Sequence, residues 1–135
     1  MANVLTPGEV KETYRPIRSQ RSEGNIDLEW KVTVEGVPSS PYTDDRQWYR
    51  GFNFTIDGLT CGVSAESLRE AGYDRRKIPV LMEIIRRLEK EQIKLRVVGN
   101  YKPNNQILYV GYGQTFPHIL EAIDKLTREP VNQSN

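Results

Sequence analysis

The side chains of this sequence suited to covalent chemistry come singly. His118 is the one histidine and Cys61 the one thiol among 135 residues. Nucleophilic catalysis needs a base within hydrogen-bond reach of the nucleophile and a third group to orient that base. Cys61 falls on the inward side of an alternating run, where a thiol behaves as a small inert hydrophobe. His118 reads as part of the first turn of a helix, where the dipole disfavours its charged form. One His, one Cys and scattered acids offer no metal-ligand spacing such as two His on one helix face, and Asp44-Asp45 reads as a solvated turn. The expectation is a protein that is not an enzyme and carries no cofactor or metal.

Two further groupings bear on binding. Gly111-Tyr112-Gly113-Gln114-Thr115 follows a strand and precedes a helix, a context in which free backbone amides hold anions. The third Gly of the dinucleotide fingerprint and the Walker Lys are absent, and Pro117 removes an amide. Gly111, Gly113 and Thr115 are nonetheless the candidate anion or small-ligand site. The second grouping is charge. Residues 69–102 hold ten basic and five acidic side chains, a net +5, in a chain whose total is +1, so the remainder carries −4. Such asymmetry focuses a local field. Arg75, Arg76, Lys77, Arg86, Arg87, Arg96 and Lys102 are the candidate partner- or nucleic-acid-binding residues. The alternative is a solvated face partly neutralised by interleaved Glu.

Two resemblances touch these residues. Arg50-Gly51-Phe52-Asn53-Phe54-Thr55-Ile56 superficially looks like the RNA-recognition-motif strand, with its basic-Gly-aromatic-small-aromatic pattern. Asn53 stands where Gly or Ala belongs and Asp57 where an aromatic belongs, and residues 37–46 cannot supply the helix that fold requires. Phe52 and Phe54 are better explained as core. The order of elements over residues 64–112 resembles the second half of a winged-helix DNA-binding domain. That resemblance implies phosphate contacts from Arg75, Arg76 and Lys77, a recognition helix carrying Arg86 and Arg87, and a wing tip at Lys102 and Asn104. Departures are the missing first helix, Pro79 in the recognition helix, and a connection over residues 72–77 longer than the usual turn.

The elements that position these residues are legible from periodicity. Leu28, Trp30, Val32 and Val34 alternate with polar residues, so residues 26–35 read as a strand with one wet face. Gly36 ends it, and residues 37–46 read as a loop. Phe52, Phe54 and Ile56, then Asp57-Gly58, then Leu59, Cys61 and Val63 form a hairpin with a two-residue type I′ turn. That register pairs Ile56 with Leu59 and Phe54 with Cys61, and Trp48 extends the same parity. Ser64 caps a short helix that runs to about Ala71, with Gly72 just beyond it. Pro79 places a longer helix from about Ile78 to Gln92, with Leu81, Ile84, Ile85 and Leu88 inward and Glu83 four residues before Arg87. Residues 93–97 and 107–112 form a second hairpin around Lys102–Asn105. A last helix spans about Phe116–Arg128, with Phe116, Ile119, Leu120, Ile123 and Leu126 inward.

The resulting order, β-ββ-α-α-ββ-α, predicts a single α+β domain of antiparallel strands with two hairpins and about three helices. Residues 1–25 read as a flexible basic arm or peripheral segment, residues 26–129 as the globular domain, and residues 130–135 as a disordered tail. The content, 37% hydrophobic and 27% charged, is that of a soluble globular protein. No apolar run has signal-peptide or membrane-spanning length, so the expected compartment is the cytoplasm, with no membrane partner. The leading expectation is a non-catalytic interaction or regulatory module that binds another protein, or itself, through an exposed surface, with Tyr42, Trp48, Tyr49, Tyr101, Tyr109 and Tyr112 as candidate exposed aromatics. The alternatives are a nucleic-acid binder using residues 69–102, and a small-ligand regulator with a pocket beside Gly111–Thr115.

Overall fold

Thr6-Pro7-Gly8-Glu9 begins the first helix by local chemistry alone. In the computed structural model, which describes residues 3–16, 28–43 and 51–133 (side chains of residues 75 and 129–133 apart), the Thr6 hydroxyl accepts from the Glu9 amide at 3.1 Å. The Glu9 carboxylate accepts from the Thr6 amide at 2.8 Å. This capping box, with Pro7 at the first helical position, starts α1 (Pro7–Thr13). The helix follows a two-residue edge strand, β1 (Val4–Leu5). Val10 of α1 is fully buried, so the first part of the expected arm belongs to the core. The rest of that arm, residues 17–25, lies outside the described residues.

The remaining elements are β2 (Trp30–Gly36), β3 (Pro38–Tyr42), β4 (Gly51–Ile56), β5 (Leu59–Ser64), α2 (Ala65–Glu70), a 3-10 turn (Arg75–Lys77), α3 (Ile78–Glu91), β6 (Leu95–Lys102), β7 (Ile107–Val110) and α4 (Tyr112–Gln133). The fold is mixed α+β, with one seven-stranded sheet in the order β1-β2-β6-β7-β5-β4-β3. The strands exceed the sequence expectation by β1 and β3, and they are not all antiparallel. β1 runs parallel to β2, and β5 runs parallel to β7, because α2, α3 and β6 intervene between β5 and β7. Among the described residues no helix is long and apolar enough to cross a membrane.

The Asp57-Gly58 hairpin forms as its residue types dictate. Asp57 has φ 47° and Gly58 φ 83°, both left-handed, as a type I′ turn requires. Ile56 pairs with Leu59 and Phe54 with Cys61, and all four are buried. Ser64 caps α2 through the Ser67 amide at 3.0 Å. Gly72, at φ 84°, closes that helix while the Tyr73 amide donates to the Leu68 carbonyl at 2.8 Å. α3 buries Ile78, Leu81, Met82, Ile85 and Leu88, and its Glu83 pairs with Arg86 at 3.4 Å.

Residues 38–42 were expected in a loop but form an edge strand. Proline lacks a ladder donor, and only an edge tolerates that. Pro38 is buried opposite Ile56, and the Ser39 and Thr55 hydroxyls meet at 2.9 Å. β2 and β3 are separated by Val37 alone, yet β3 is the far edge of the sheet. The sheet therefore curls, bringing Gly36 of β2 against Ile56 of β4.

α4 begins at Tyr112, four residues earlier than the pattern indicates, and its helical backbone extends to Gln133, into the expected tail. Pro117 thus sits inside the helix, where it has no amide to offer the Gly113 carbonyl. Tertiary contacts outweigh that loss. Tyr112 is 2% exposed and packs edge-on to Tyr73 at 5.0 Å, and its amide donates to Ser67 Oγ at 3.0 Å. Leu120, expected inward, is exposed, whereas Ala122 is buried; the buried stripe runs Tyr112, Thr115, Ile119, Ala122 and Leu126, at helical spacing that leaves Leu120 outside it.

Candidate functional site

One face of the sheet is apolar. Val32, Val34, Leu95, Val97, Tyr101, Leu108, Val110, Cys61, Phe52 and Phe54 are all buried. Tyr14, just past α1, stacks on Trp30 at 5.4 Å, and α3 and α4 close a small cavity against Phe52, Phe54 and Leu95. α2 packs on α4 and β5. The residues between, at the alternate positions, point the other way. On that outer face Lys31, Arg96, Asn100, Tyr109 and Tyr42 are exposed.

Strand register aligns these outer residues. Tyr42 pairs with Asn53, Asn53 with Gly62, Gly62 with Tyr109, Tyr109 with Asn100, and Asn100 with Lys31. A single cross-strand row therefore runs from β3 to β2. The adjacent row is Ser39, Thr55, Thr60, Ile107 and Lys102. Tyr42 reaches this face through a bulge. Ser40 has φ 54°, and the β3–β4 register slips between Ser39 and Tyr42, which reverses the inside-outside alternation. Without it Tyr42, an even-numbered neighbour of buried Pro38, would point inward. The Asn53 amide donates to the Tyr42 hydroxyl at 3.4 Å.

Between the two tyrosines lies a cleft of about 390 Å³ lined by Tyr42, Asn53, Gly62, Ser64 and Tyr109, among others. It exists because β5 and β7 stop pairing after Gly62 and Tyr109 and each then turns into its own helix. Lys102 places its ammonium 5.1 Å from the Tyr109 ring centre, and Asn105 donates to the Tyr109 hydroxyl at 2.9 Å. The one acid in these strands facing this way, Glu35, is paired with Arg96 at 2.9 Å.

The basic residues singled out from sequence do not converge. Arg96 and Lys102 are on the outer face. Arg76, Lys77, Arg86 and Arg87 belong to the helical side of the molecule, and the side chain of Arg75 lies outside the described residues. Arg76 is paired with Asp74 at 2.8 Å, which raises its pKa by hydrogen bond and charge, and Arg86 is paired with Glu83. The helix order that resembles a winged helix is present, but α2 packs on α4 and β5, and the apolar stripe of α3 lies against the curled sheet.

The Gly111–Thr115 segment is not built as an anion cradle. The Gly111 amide donates to the Val98 carbonyl at 2.8 Å, the Tyr112 amide to Ser67 Oγ, and the Thr115 amide to the Gly111 carbonyl. Thr115, 1% exposed, both donates to the Val98 carbonyl and accepts from the Val98 amide. Gly111 and Gly113 line a shallow depression that also holds Glu70, a charge that repels anions. Of the six aromatics considered, Tyr42 and Tyr109 are exposed, Tyr101 and Tyr112 are core, and Trp48 and Tyr49 fall outside the described residues together with Asp44 and Asp45.

His118 sits in the second turn of α4, 3.2 Å from Glu121. Among the described residues no group of three or more His, Cys, Asp or Glu is placed to hold a metal. Burial pushes the Cys61 thiol up to about 12, and burial, helped by Tyr73, pushes the Tyr112 phenol up to about 12. Both groups are neutral when protonated, so each holds its proton more tightly folded than unfolded. Their contribution to stability is complete below the ordinary values of 9.0 and 10.0 and is lost as pH climbs toward about 12. Urea midpoints should therefore fall steadily above pH 9.0, and Tyr112→Phe should flatten the fall above pH 10.0. Midpoints that stay level through this range would contradict the burial of both groups.

The sequence signals for the outer face were alternation and the Pro-containing β3 segment. The alternation is legible from the sequence, whereas two prolines make the β3 segment read as a loop. No protein-family model, no curated protein and no solved structure matches this chain.

Proposed function

We propose that this protein is a non-catalytic binding module that engages single-stranded nucleic acid on the outer face of its sheet. The carrying observation is the cross-strand row in which Tyr42 and Tyr109 flank Asn53 and Gly62, with Asn100 and Lys31 continuing it. Exposed aromatic rings on an open sheet stack unpaired bases, and neighbouring lysines attract phosphates. Lys31 and Lys102 supply that charge, and Glu35, being paired with Arg96, opposes it little. An open sheet face suits an extended strand better than a duplex groove.

Fluorescence anisotropy with labelled single strands tests this. Affinity should fall steeply between about 50 and about 200 mM salt, because each neutralised phosphate releases counterions. Tyr109→Ala should weaken binding by roughly tenfold to a hundredfold, the worth of one stacked base. Lys102→Ala should weaken it and reduce the salt slope, whereas Arg86→Ala and Arg87→Ala, on the helical side, should change little. An absence of binding at about 50 mM salt removes the proposal.

A second reading, a protein partner or a second copy of the chain, draws on Val80 of α3 and Leu120 of α4, large apolar side chains that are 55% and 49% exposed. Analytical ultracentrifugation of the chain and of Val80→Lys tests self-association directly.

A further inference from the structure

An exposed tyrosine adds little to stability by its orientation, yet Tyr109 is held at both its hydroxyl and its ring. We infer that Asn105 is a positioning residue which, with Lys102, fixes the Tyr109 ring in advance as a stacking platform; this rests on the reading of the outer face given above. Tyr109 is 40% exposed. The Asn105 amide donates to its hydroxyl at 2.9 Å, and the Lys102 ammonium lies 5.1 Å from its ring centre. One group holds the tip of the side chain and the other covers one face. Lys102 pairs with Ile107, two residues before Tyr109 on β7, so its long side chain reaches the ring diagonally.

The turn between β6 and β7 is built to hold Asn105 in place. The Ile107 amide donates to Asn105 Oδ1 at 3.3 Å, a short reach that asparagine makes readily to a backbone amide two residues on. Both ends of the carboxamide are therefore engaged, and it cannot rotate without losing a partner. The Gln106 amide closes the turn on the Lys102 carbonyl at 2.8 Å. Gln106 holds φ 56°, a left-handed backbone that is costly for a residue with a side chain. Such strain persists where the surroundings over-determine it, and it clusters at ligand clamps. Buried Pro103 anchors the other end of the turn. A side chain already in its bound rotamer loses no freedom when a base stacks on it. With Lys102 over one face, a base takes the other, and Gly62, the next residue of the row beyond β7, has no side chain to cover it.

The test combines NMR of the full chain with fluorescence anisotropy on labelled oligothymidylate of about twelve residues, a length within the span of single-strand sites. In the unbound protein the Tyr109 Hα–Hβ couplings should report one χ1 rotamer, and the ring should shift the Lys102 ε-methylene protons upfield. Asn105→Ala should average the couplings, collapse the shift and weaken binding by about twofold to tenfold, the cost of ordering one side chain. Asn105→Asp, whose carboxylate can accept from both the Ile107 amide and the Tyr109 hydroxyl, should restore the couplings and the shift. Tyr109→Phe keeps the ring and leaves the turn untouched. It should weaken binding as much as Asn105→Ala does, and the double variant should bind no worse than either single one. A purely structural turn residue would lower thermal stability without that non-additivity. A single Tyr109 rotamer in Asn105→Ala, or binding by that variant as tight as the unaltered chain's, would overturn the clamp and leave the strand-binding face standing. No binding of the strand by the unaltered chain at about 50 mM salt would remove both.

Discussion

Gly51→Ala is expected to unfold the protein or leave it severely destabilised. Gly51 has φ 128°, a conformation essentially closed to residues with a side chain. A Cβ there would lie far inside contact distance of the Val63 carbonyl oxygen and 2.8 Å from the Ser64 Cα. Both obstacles are backbone of the paired strand β5, so neither can swing aside. Strain at such a backbone alone costs about 1–3 kcal/mol, and the steric term adds to it. A loss of about 3 kcal/mol or more is a large part of the roughly 5–15 kcal/mol that holds a domain together. Gly62→Ala is the control: its backbone is ordinary and its Cβ meets the Asn53 side chain, which can move. Urea denaturation of the two variants should separate them by at least about 2 kcal/mol. Equal midpoints would show that β4 and β5 are not paired at Gly51.

Thr115→Val should cost about 2–3 kcal/mol, although it preserves shape and adds apolar surface. The Thr115 hydroxyl bonds the Val98 amide and the Val98 carbonyl, each at 3.0 Å. Val98 needs these partners because β7 ends at Val110, and beyond it the edge of β6 has no strand to pair with. The Gly111 amide also serves the carbonyl, so the orphan left by valine is the Val98 amide. A buried donor without a partner costs its full desolvation, about 1–3 kcal/mol, in addition to the lost bonds. Thr115→Ser keeps the hydroxyl and should lose only about 1 kcal/mol for the methyl group. A valine variant as stable as the serine variant would show that Val98 finds another partner.

Thr115 was read from the sequence as a ligand residue because Gly-x-Gly before a helix looks like a cradle. That pattern carries no information about where the neighbouring strand ends. The Gly111 amide and the Thr115 hydroxyl answer the unpaired edge of β6, a need visible only once β6 and β7 are side by side. The separation of the basic residues onto two sides of the molecule has a related reason. Residues three or four apart on α3 share a helical surface, but Arg96 and Lys102 share the outer face of β6, and nothing local says that α4 covers the opposite face of that strand. Conversely, Thr6-Pro7-Gly8-Glu9 is a local helix-start signal that stands out little because the segment around it lacks periodicity.

What the sequence by itself determined is local: the Asp57-Gly58 hairpin and its register, the Ser64 cap and Gly72 stop of α2, the span of α3, and the alternation that separates buried from exposed positions on β2, β4, β5 and β6. Turn dihedrals, capping hydrogen bonds and side-chain period act over a few residues, so the local order of residue types specifies them. Only the tertiary structure decided which face of the sheet the helices cover, that β5 runs parallel to β7, and that the Ser40 bulge turns Tyr42 outward beside Tyr109. Those outcomes depend on pairings between distant segments, where burial of Tyr112 outweighs a proline within a helix and the edge position of β3 makes two prolines harmless.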